Sequence, residues 1–120
     1  MGKNRQFVEM KKVLVDSDVI VDYLRTKEGG FLNLAKLYGE GKIKLYVSVV
    51  SVIELYSGDN LAQKRIVDDI LDKLEVVVLD RNLSKLVGEQ RMKMGERVGW
   101  ADLIIGVTAN WLKSQLATRN

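Results

Sequence analysis

A short apolar run rich in β-branched residues, Val13-Leu14-Val15, is followed at once by the polar triplet Asp16-Ser17-Asp18. The run is too short for a helix and predicts a buried strand. The triplet predicts a strand-to-helix turn, in which Ser17 or Asp18 caps a helix over about 19–26. Because ligands of a parallel α/β sheet bind at the carboxyl ends of its strands, Asp16 is expected at the mouth of the sheet.

The rest of the chain alternates between strand-like and helix-like segments, and these predict a single domain. In chain order, the later predicted elements are a helix near 31–39, a strand over Ile43–Val50, a short helix capped by Ser51, a helix capped by Asn60, a strand over Glu75–Asp80, a helix over 82–98, a buried helix over Trp100–Leu112 and a strand from Leu116. This order predicts an α/β fold with three α/β/α layers and a mainly parallel sheet of four or five strands. Residues 1–12 are interpreted as an N-terminal leader, and 13–120 as the domain.

The composition limits the chemistry that the chain can perform. The 120 residues include no His and no Cys, which excludes a disulfide, a thiolate metal site, a cysteine nucleophile and a histidine base. Any metal must be held by oxygen, which favours Mg²⁺ or Mn²⁺. The lack of Cys also favours a reducing, cytoplasmic setting, and no apolar run is long enough to predict a membrane span. The net charge of +3 is compatible with a nucleic-acid partner but does not require one.

Three acidic residues interrupt apolar surroundings and could form one site. Asp16 ends a strand, Glu54 lies in the short helix after another strand, and Asp102 opens the buried helix. In a parallel sheet all three can face the same edge. Converging carboxylates raise one another's pKa unless a cation neutralises them, and an oxygen-bound Mg²⁺ or Mn²⁺ is the simplest solution. Each acid alone could equally be a helix-start residue or a solvent-exposed side chain, so the prediction depends on their joint pattern.

Four segments in a fixed order carry a resemblance to a known family. They are Val13–Leu24 around Asp16, Val47–Leu55 around Glu54, Ala101–Ala109 around Asp102, and Leu116–Asn120. Together they resemble the PIN-domain family, and specifically the VapC-like toxins of prokaryotic toxin–antitoxin pairs, over 13–120.

The resemblance implies an activity, a site and two kinds of partner. The activity is that of a Mg²⁺- or Mn²⁺-dependent endoribonuclease, in which Asp16, Glu54 and Asp102 are catalytic and hold the metal. Asn120 matches the fourth catalytic position, where the family has Asp or Asn. Asp18 stands where Asn or Ser is more usual, so it adds a carboxylate behind the site. The implied partners are a cognate antitoxin, whose carboxyl-terminal segment packs into a groove, and a second copy of the chain in a homodimer.

The surface residues admit more than one interpretation. Single-stranded or loop RNA is the expected substrate, because its backbone can bend into a narrow site. Basic side chains near the rim could hold phosphates or be solvated surface: Arg25, Lys27, Arg91, Arg97 and Arg119. Apolar residues in the early helices could face a partner or the core: Tyr23, Leu24, Phe31 and Tyr38.

Two other functions remain open from the sequence. A PIN-like domain with a weakened fourth position would bind RNA or an antitoxin without cutting. The stretch around Asp16 also resembles the opening Asp-x-Asp of haloacid-dehalogenase-like phosphatases, in which Asp16 would be the nucleophile. That function requires a downstream acidic pair after a strand, whereas Asp68-Asp69 falls within a predicted amphipathic helix.

Overall fold

The computed structural model describes residues 10–58 and 63–119, which form six helices and four strands. In chain order the elements are β1 (Lys11–Val15), α1 (Ser17–Thr26), α2 (Gly30–Gly39), β2 (Ile43–Ser48), α3 (Val49–Tyr56), α4 (Lys64–Leu71), β3 (Glu75–Val77), α5 (Arg81–Met94), α6 (Trp100–Leu112) and β4 (Gln115–Ala117). All strand pairs are parallel, in the order β3-β2-β1-β4. The predicted three-layer α/β/α fold is therefore confirmed. Within these ranges, no helix has the length and apolarity that crossing a membrane requires.

Strand β1 lies inside the sheet and joins two hydrophobic cores. Val13 and Val15 pack in the larger core with residues of α1 to α4, whereas Leu14 packs on the other face with residues of α5 and α6. Successive side chains of a strand point to opposite faces, so a continuous apolar run suits a strand that is covered on both sides. The strand begins at Lys11, two residues before the predicted start, because Lys11 and Lys12 still pair with β2.

The helices that follow β1 and β2 begin within two residues of the strand ends. Asp16 itself caps α1, since its Oδ1 accepts a hydrogen bond of 2.7 Å from the backbone N–H of Ser17, so the prediction of Ser17 or Asp18 as the cap is wrong. Ser48 caps α3, and the predicted cap Ser51 is buried inside that helix. The β-branched pair Val49-Val50 extended the apparent strand in the sequence and concealed the true start of the helix.

The third strand and the helix after it are both shorter than predicted. β3 contains only Glu75–Val77, because it pairs with the last three residues of β2. Asp80, predicted to end this strand, instead caps α5, which ends at Met94 and not near Val98. α6 has the predicted bounds, whereas the predicted cap Asn60 lies outside the described residues.

Ser51 provides a stability test of the α3 assignment. Its side chain is fully buried, and its Oγ has no hydrogen-bond partner among the residues described. Because an unsatisfied buried hydroxyl costs about 1–3 kcal/mol, Ser51→Ala is expected to raise the free energy of unfolding by about 1 kcal/mol in urea denaturation. Ser48→Ala is the matched control: it removes the bond of 3.2 Å to Val50 N and should lower stability by about 1 kcal/mol. Destabilisation by both substitutions would contradict the assignment.

Candidate functional site

The carboxyl edge of the sheet brings the predicted acids close enough to interact. Asp16 is partly buried, and burial is the largest cause of the rise in its pKa. Repulsion from Asp18 is the next cause, and the backbone hydrogen bond from Ser17 opposes the rise. Glu54 and Asp102 raise the pKa of Asp16 further. The acids that are separated in sequence therefore share one electrostatic environment, and their chemical roles stay predictions.

A hydroxyl between two acids positions one of the site carboxylates. Ser17 Oγ donates a hydrogen bond of 2.9 Å to Oε1 of Glu54, which joins the first turn of α1 to α3 across 37 residues of sequence. Glu54 is exposed, so its Oε2 can still meet a ligand. This role of Ser17 was not predicted from the sequence, although a hydroxyl at the mouth of the sheet between Asp16 and Asp18 was a usable signal.

Asp18 connects α1 to the segment that follows β4. Its Oδ2 accepts hydrogen bonds from Thr118 Oγ1 at 3.3 Å and from the backbone N–H of Arg119 at 3.4 Å. Its Oδ1 is buried and has no hydrogen-bond partner within the described ranges. Arg119 also forms an ion pair of 3.9 Å with Asp22. These contacts fix the backbone next to Asn120, the predicted fourth site residue, which lies outside the described residues.

The charge of Asp18 can be tested without a metal or a substrate. Asp18→Asn is expected to lower the pKa of Asp16, because it removes the strongest repelling charge and keeps an oxygen that accepts from Thr118. Carbon-detected NMR titration of the Asp16 carboxyl in EDTA measures this shift. Asp69→Asn, on the exposed face of α4, is the matched control and should leave the pKa of Asp16 unchanged. An unchanged pKa in Asp18→Asn would show that the two carboxylates do not interact.

The carboxylate oxygens at this edge are suitable ligands for a divalent cation, although they are not yet arranged to hold one. No Lys or Arg in the described part of the chain forms an ion pair with Asp16, Glu54 or Asp102. An oxygen-binding cation would relieve the repulsion that raises the pKa of Asp16. Among residues 10–58 and 63–119, however, no three carboxylates are close enough to hold one ion. Glu54 and Asp102 are exposed, so their side chains can rotate toward Asp16 when a cation binds.

The basic residues named in the sequence differ in their availability. Four of them are exposed and can meet a ligand: Arg25, Lys27, Arg97 and Arg119. Arg91 is occupied instead, because its Nη1 donates hydrogen bonds to the carbonyls of Gly95 at 2.8 Å and Val98 at 2.9 Å. Its guanidinium lies over the ring of Trp100, 4.1 Å from the centroid. Arg91 is therefore part of the turn before α6, where its Nη1 is already used, and a phosphate contact by Arg91 stays a prediction.

The aromatic residues of the helices are partly core and partly surface. Phe31 and Leu24 are buried, and the Tyr23 ring lies 5.4 Å from that of Phe31, whereas Tyr38 is exposed. The expectation that α6 is a buried helix is wrong at its ends, because Trp100 is 58% exposed and Trp111 is 50% exposed. The sequence shows that a helix is apolar, but it does not show which side of the helix is left uncovered by other elements.

A groove runs from the acidic edge between α1, α3 and α4. Its volume is about 180 Å³, and its lining includes Val21, Leu24, Arg25, Glu54, Leu55 and Lys64. Glu54 belongs to both the groove and the acidic edge. A segment bound in this groove would therefore reach the carboxylates.

The parallel sheet and the carboxylates at its edge define a small α/β protein with an acidic, oxygen-donor site. The sequence model of the PIN-domain family matches residues 13–120. The chain belongs to the PIN-domain family, whose members are generally nucleases. This membership leaves the phosphatase alternative without support, and Asp68-Asp69 does lie within α4.

Solved structures with the same fold are toxin–antitoxin complexes. VapBC2 from Rickettsia felis, bound to a DNA fragment from its promoter, matches with a TM-score of 0.71 and 21% identity, covering 91% of this chain and 87% of that one. A toxin–antitoxin complex from Klebsiella pneumoniae matches with a TM-score of 0.69 and 16% identity, covering 90% and 86%. VapBC-1 from nontypeable Haemophilus influenzae matches with a TM-score of 0.65 and 20% identity, covering 91% and 87%. At these identities the likeness is one of fold. No curated protein matches the sequence.

Proposed function

We propose that this protein is a Mg²⁺- or Mn²⁺-dependent endoribonuclease and the toxin of a toxin–antitoxin pair that acts in the cytoplasm. The observation that carries the proposal is the repulsion of Asp16 by Glu54 and Asp102 at the carboxyl edge of a PIN-family sheet. The similarity of the fold to toxin–antitoxin complexes supports the assignment as a toxin.

The side chains of this edge have separate roles in the proposed reaction. Asp16, Glu54 and Asp102 would hold the ion, which when bound stabilises charge on a phosphoryl group and lowers the pKa of water. The capping bond to the N–H of Ser17 restrains Asp16, and the Ser17 hydroxyl orients Glu54 before RNA arrives. Asn120 would orient a water through its amide, without adding a charge.

Cleavage of single-stranded RNA tests the proposed activity. A doubly labelled oligoribonucleotide is incubated with the protein in Mg²⁺, in Mn²⁺ or in EDTA, and product lengths are resolved on a gel. We expect internal cuts with either metal, none in EDTA, and little cleavage of DNA of the same sequence. Cleavage that persists in EDTA would contradict the carboxylate-held metal, and intact RNA under all conditions would contradict the nuclease.

The groove between α1, α3 and α4 is the proposed site for the antitoxin. It is apolar at Val21, Leu24 and Leu55, and Glu54 connects it to the acidic edge. A carboxyl-terminal antitoxin segment bound there would block access of RNA to Asp16. A co-expressed antitoxin tests this site: it should inhibit cleavage, and the inhibition should be lost when its carboxyl-terminal segment is removed.

Light scattering on the purified toxin tests the proposed homodimer.

A second candidate function is a PIN domain that binds RNA or an antitoxin without cutting. One observation favours it: within the described residues, no three carboxylates are placed closely enough to hold an ion. RNA binding without cleavage in saturating Mn²⁺, together with unchanged thermal stability on adding Mn²⁺, would identify this function.

A further inference from the structure

Trp100 is an exposed aromatic residue beside the acidic edge. It is the first residue of α6, and 58% of it is accessible to solvent. Asp102, a proposed metal-binding residue, follows two residues later in the first turn of the same helix. The indole offers a large aromatic surface for contact with a ligand, and it lies on the same first turn of α6 as Asp102.

Arg91 holds the Trp100 ring from one side. The guanidinium carbon lies 4.1 Å from the ring centroid, which places the cation against one face of the indole. The Nη1 of Arg91 is fixed by the carbonyls of Gly95 and Val98, at 2.8 and 2.9 Å. The ring is thus supported by a side chain that is itself anchored at two points. Because one face is covered and the residue is still 58% accessible, the exposed area belongs to the opposite face and the ring edge.

We propose that the open face of Trp100 is a stacking site for one unpaired nucleobase of the RNA, and that Arg91 is its support. The proposal rests on the proposed function for the nature of the ligand. An aromatic ring binds the π-face of any base, so the site would select unpaired nucleotides without selecting a sequence. The positive charge of Arg91 behind the ring favours a phosphate-bearing ligand over a neutral apolar one.

Binding in EDTA tests the site independently of cleavage. Anisotropy of a labelled single-stranded oligoribonucleotide gives Kd, and Trp100→Ala is expected to raise it by about 5- to 50-fold, the effect of losing one base stack. Trp100→Phe keeps an aromatic face and should stay near the original Kd. Trp111→Ala, at the other end of α6 and 50% exposed, is the matched control and should leave Kd unchanged.

Fluorescence reports the contact itself. The chain has two Trp residues, so the Trp111→Phe variant emits from Trp100 alone. Single-stranded RNA should quench this emission saturably with the same Kd, whereas a blunt RNA duplex, whose bases are already stacked, should not. Equal Kd values for Trp100→Ala and the unchanged protein, or quenching by duplex and single strand alike, would overturn the proposal.

Cleavage kinetics separate this proposal from the proposed function. If both hold, Trp100→Ala raises KM for RNA by about 5- to 50-fold and changes kcat little, because a base stack binds substrate and transition state alike. If the protein cuts RNA and Trp100→Ala has the original KM, the stacking site is wrong and the nuclease stands. If the unchanged protein binds RNA through Trp100 but never cuts it, the nuclease is wrong and the stacking site stands. If Trp100→Ala abolishes antitoxin binding and leaves the Kd for RNA unchanged, the ring serves a protein partner and the proposal is overturned.

Discussion

Asp16→Asn is expected to reduce metal-dependent RNA cleavage by about 1000-fold or more. The carboxylate is partly buried at the centre of the acidic cluster, and its replacement removes one of three proposed charged ligands. The Lewis-acid contribution of a bound ion amounts to several kcal/mol, and each 1.36 kcal/mol is a factor of ten in rate. The fold should survive, because Asn is as good a helix cap as Asp and can accept the same bond from the N–H of Ser17. The measurement is single-turnover cleavage in saturating Mn²⁺.

Two controls show whether the loss of cleavage comes from the missing carboxylate. Asp69→Asn carries the same chemical change on the exposed face of α4 and should cleave at the original rate. Circular dichroism should give the same spectrum for both variants and the unchanged protein. Cleavage retained in Asp16→Asn would place the catalytic centre elsewhere or reveal a contaminating nuclease.

Metal binding is expected to reverse the order of stability of the unchanged protein and Asp16→Asn. In EDTA the folded state raises the pKa of Asp16, so the stability from this group is fully present below its ordinary pKa of 3.8 and is lost as the pH rises through the folded value. At neutral pH Asp16→Asn should therefore be the more stable of the two. With Mn²⁺ at about 100 times its Kd, the unchanged protein gains about 2.7 kcal/mol, and the variant gains much less.

Thermal unfolding at pH 7 and near pH 3, with and without Mn²⁺, measures both effects. Near pH 3 in EDTA the two stabilities should converge, because Asp16 is then protonated in both states. Equal gains from Mn²⁺ in both proteins would mean that the ion binds away from Asp16. A less stable Asp16→Asn in EDTA at pH 7 would mean that burial and the neighbouring carboxylates do not raise the pKa of Asp16.

The layers of the fold were predictable because short stretches of sequence indicate each strand and each helix. The apolar run at Val13–Val15 had to be covered on both faces, and α6 keeps a helical period from Trp100 to Leu112 without a break. Strand ends were less predictable. β3 stops at Val77 because its partner β2 ends at Ser48, a limit set by pairing and not by the sequence of β3 itself.

The candidate site was predictable only in part, because the contacts that position its side chains are not local in the sequence. Carboxylates at strand ends are visible in a sequence, and Asp16, Glu54 and Asp102 were predicted in this way. The contacts that position them join residues far apart, such as Ser17 with Glu54. No periodicity encodes such a pair, since only the packing of α1 against α3 brings its members together.

The last strand lies beside the first, and this has a consequence for the nascent chain. Asp16 donates its backbone N–H to the carbonyl of Ala117 at 2.9 Å, and Asp18 meets Thr118 across 100 positions of sequence. At about 5–20 residues per second, a ribosome needs roughly 5–20 s to make that stretch. Until then β1 has an open edge and the acidic edge lacks its final segment. The high contact order of this pairing would thus delay completion of the acidic edge until about 100 residues beyond Asp18 have been made.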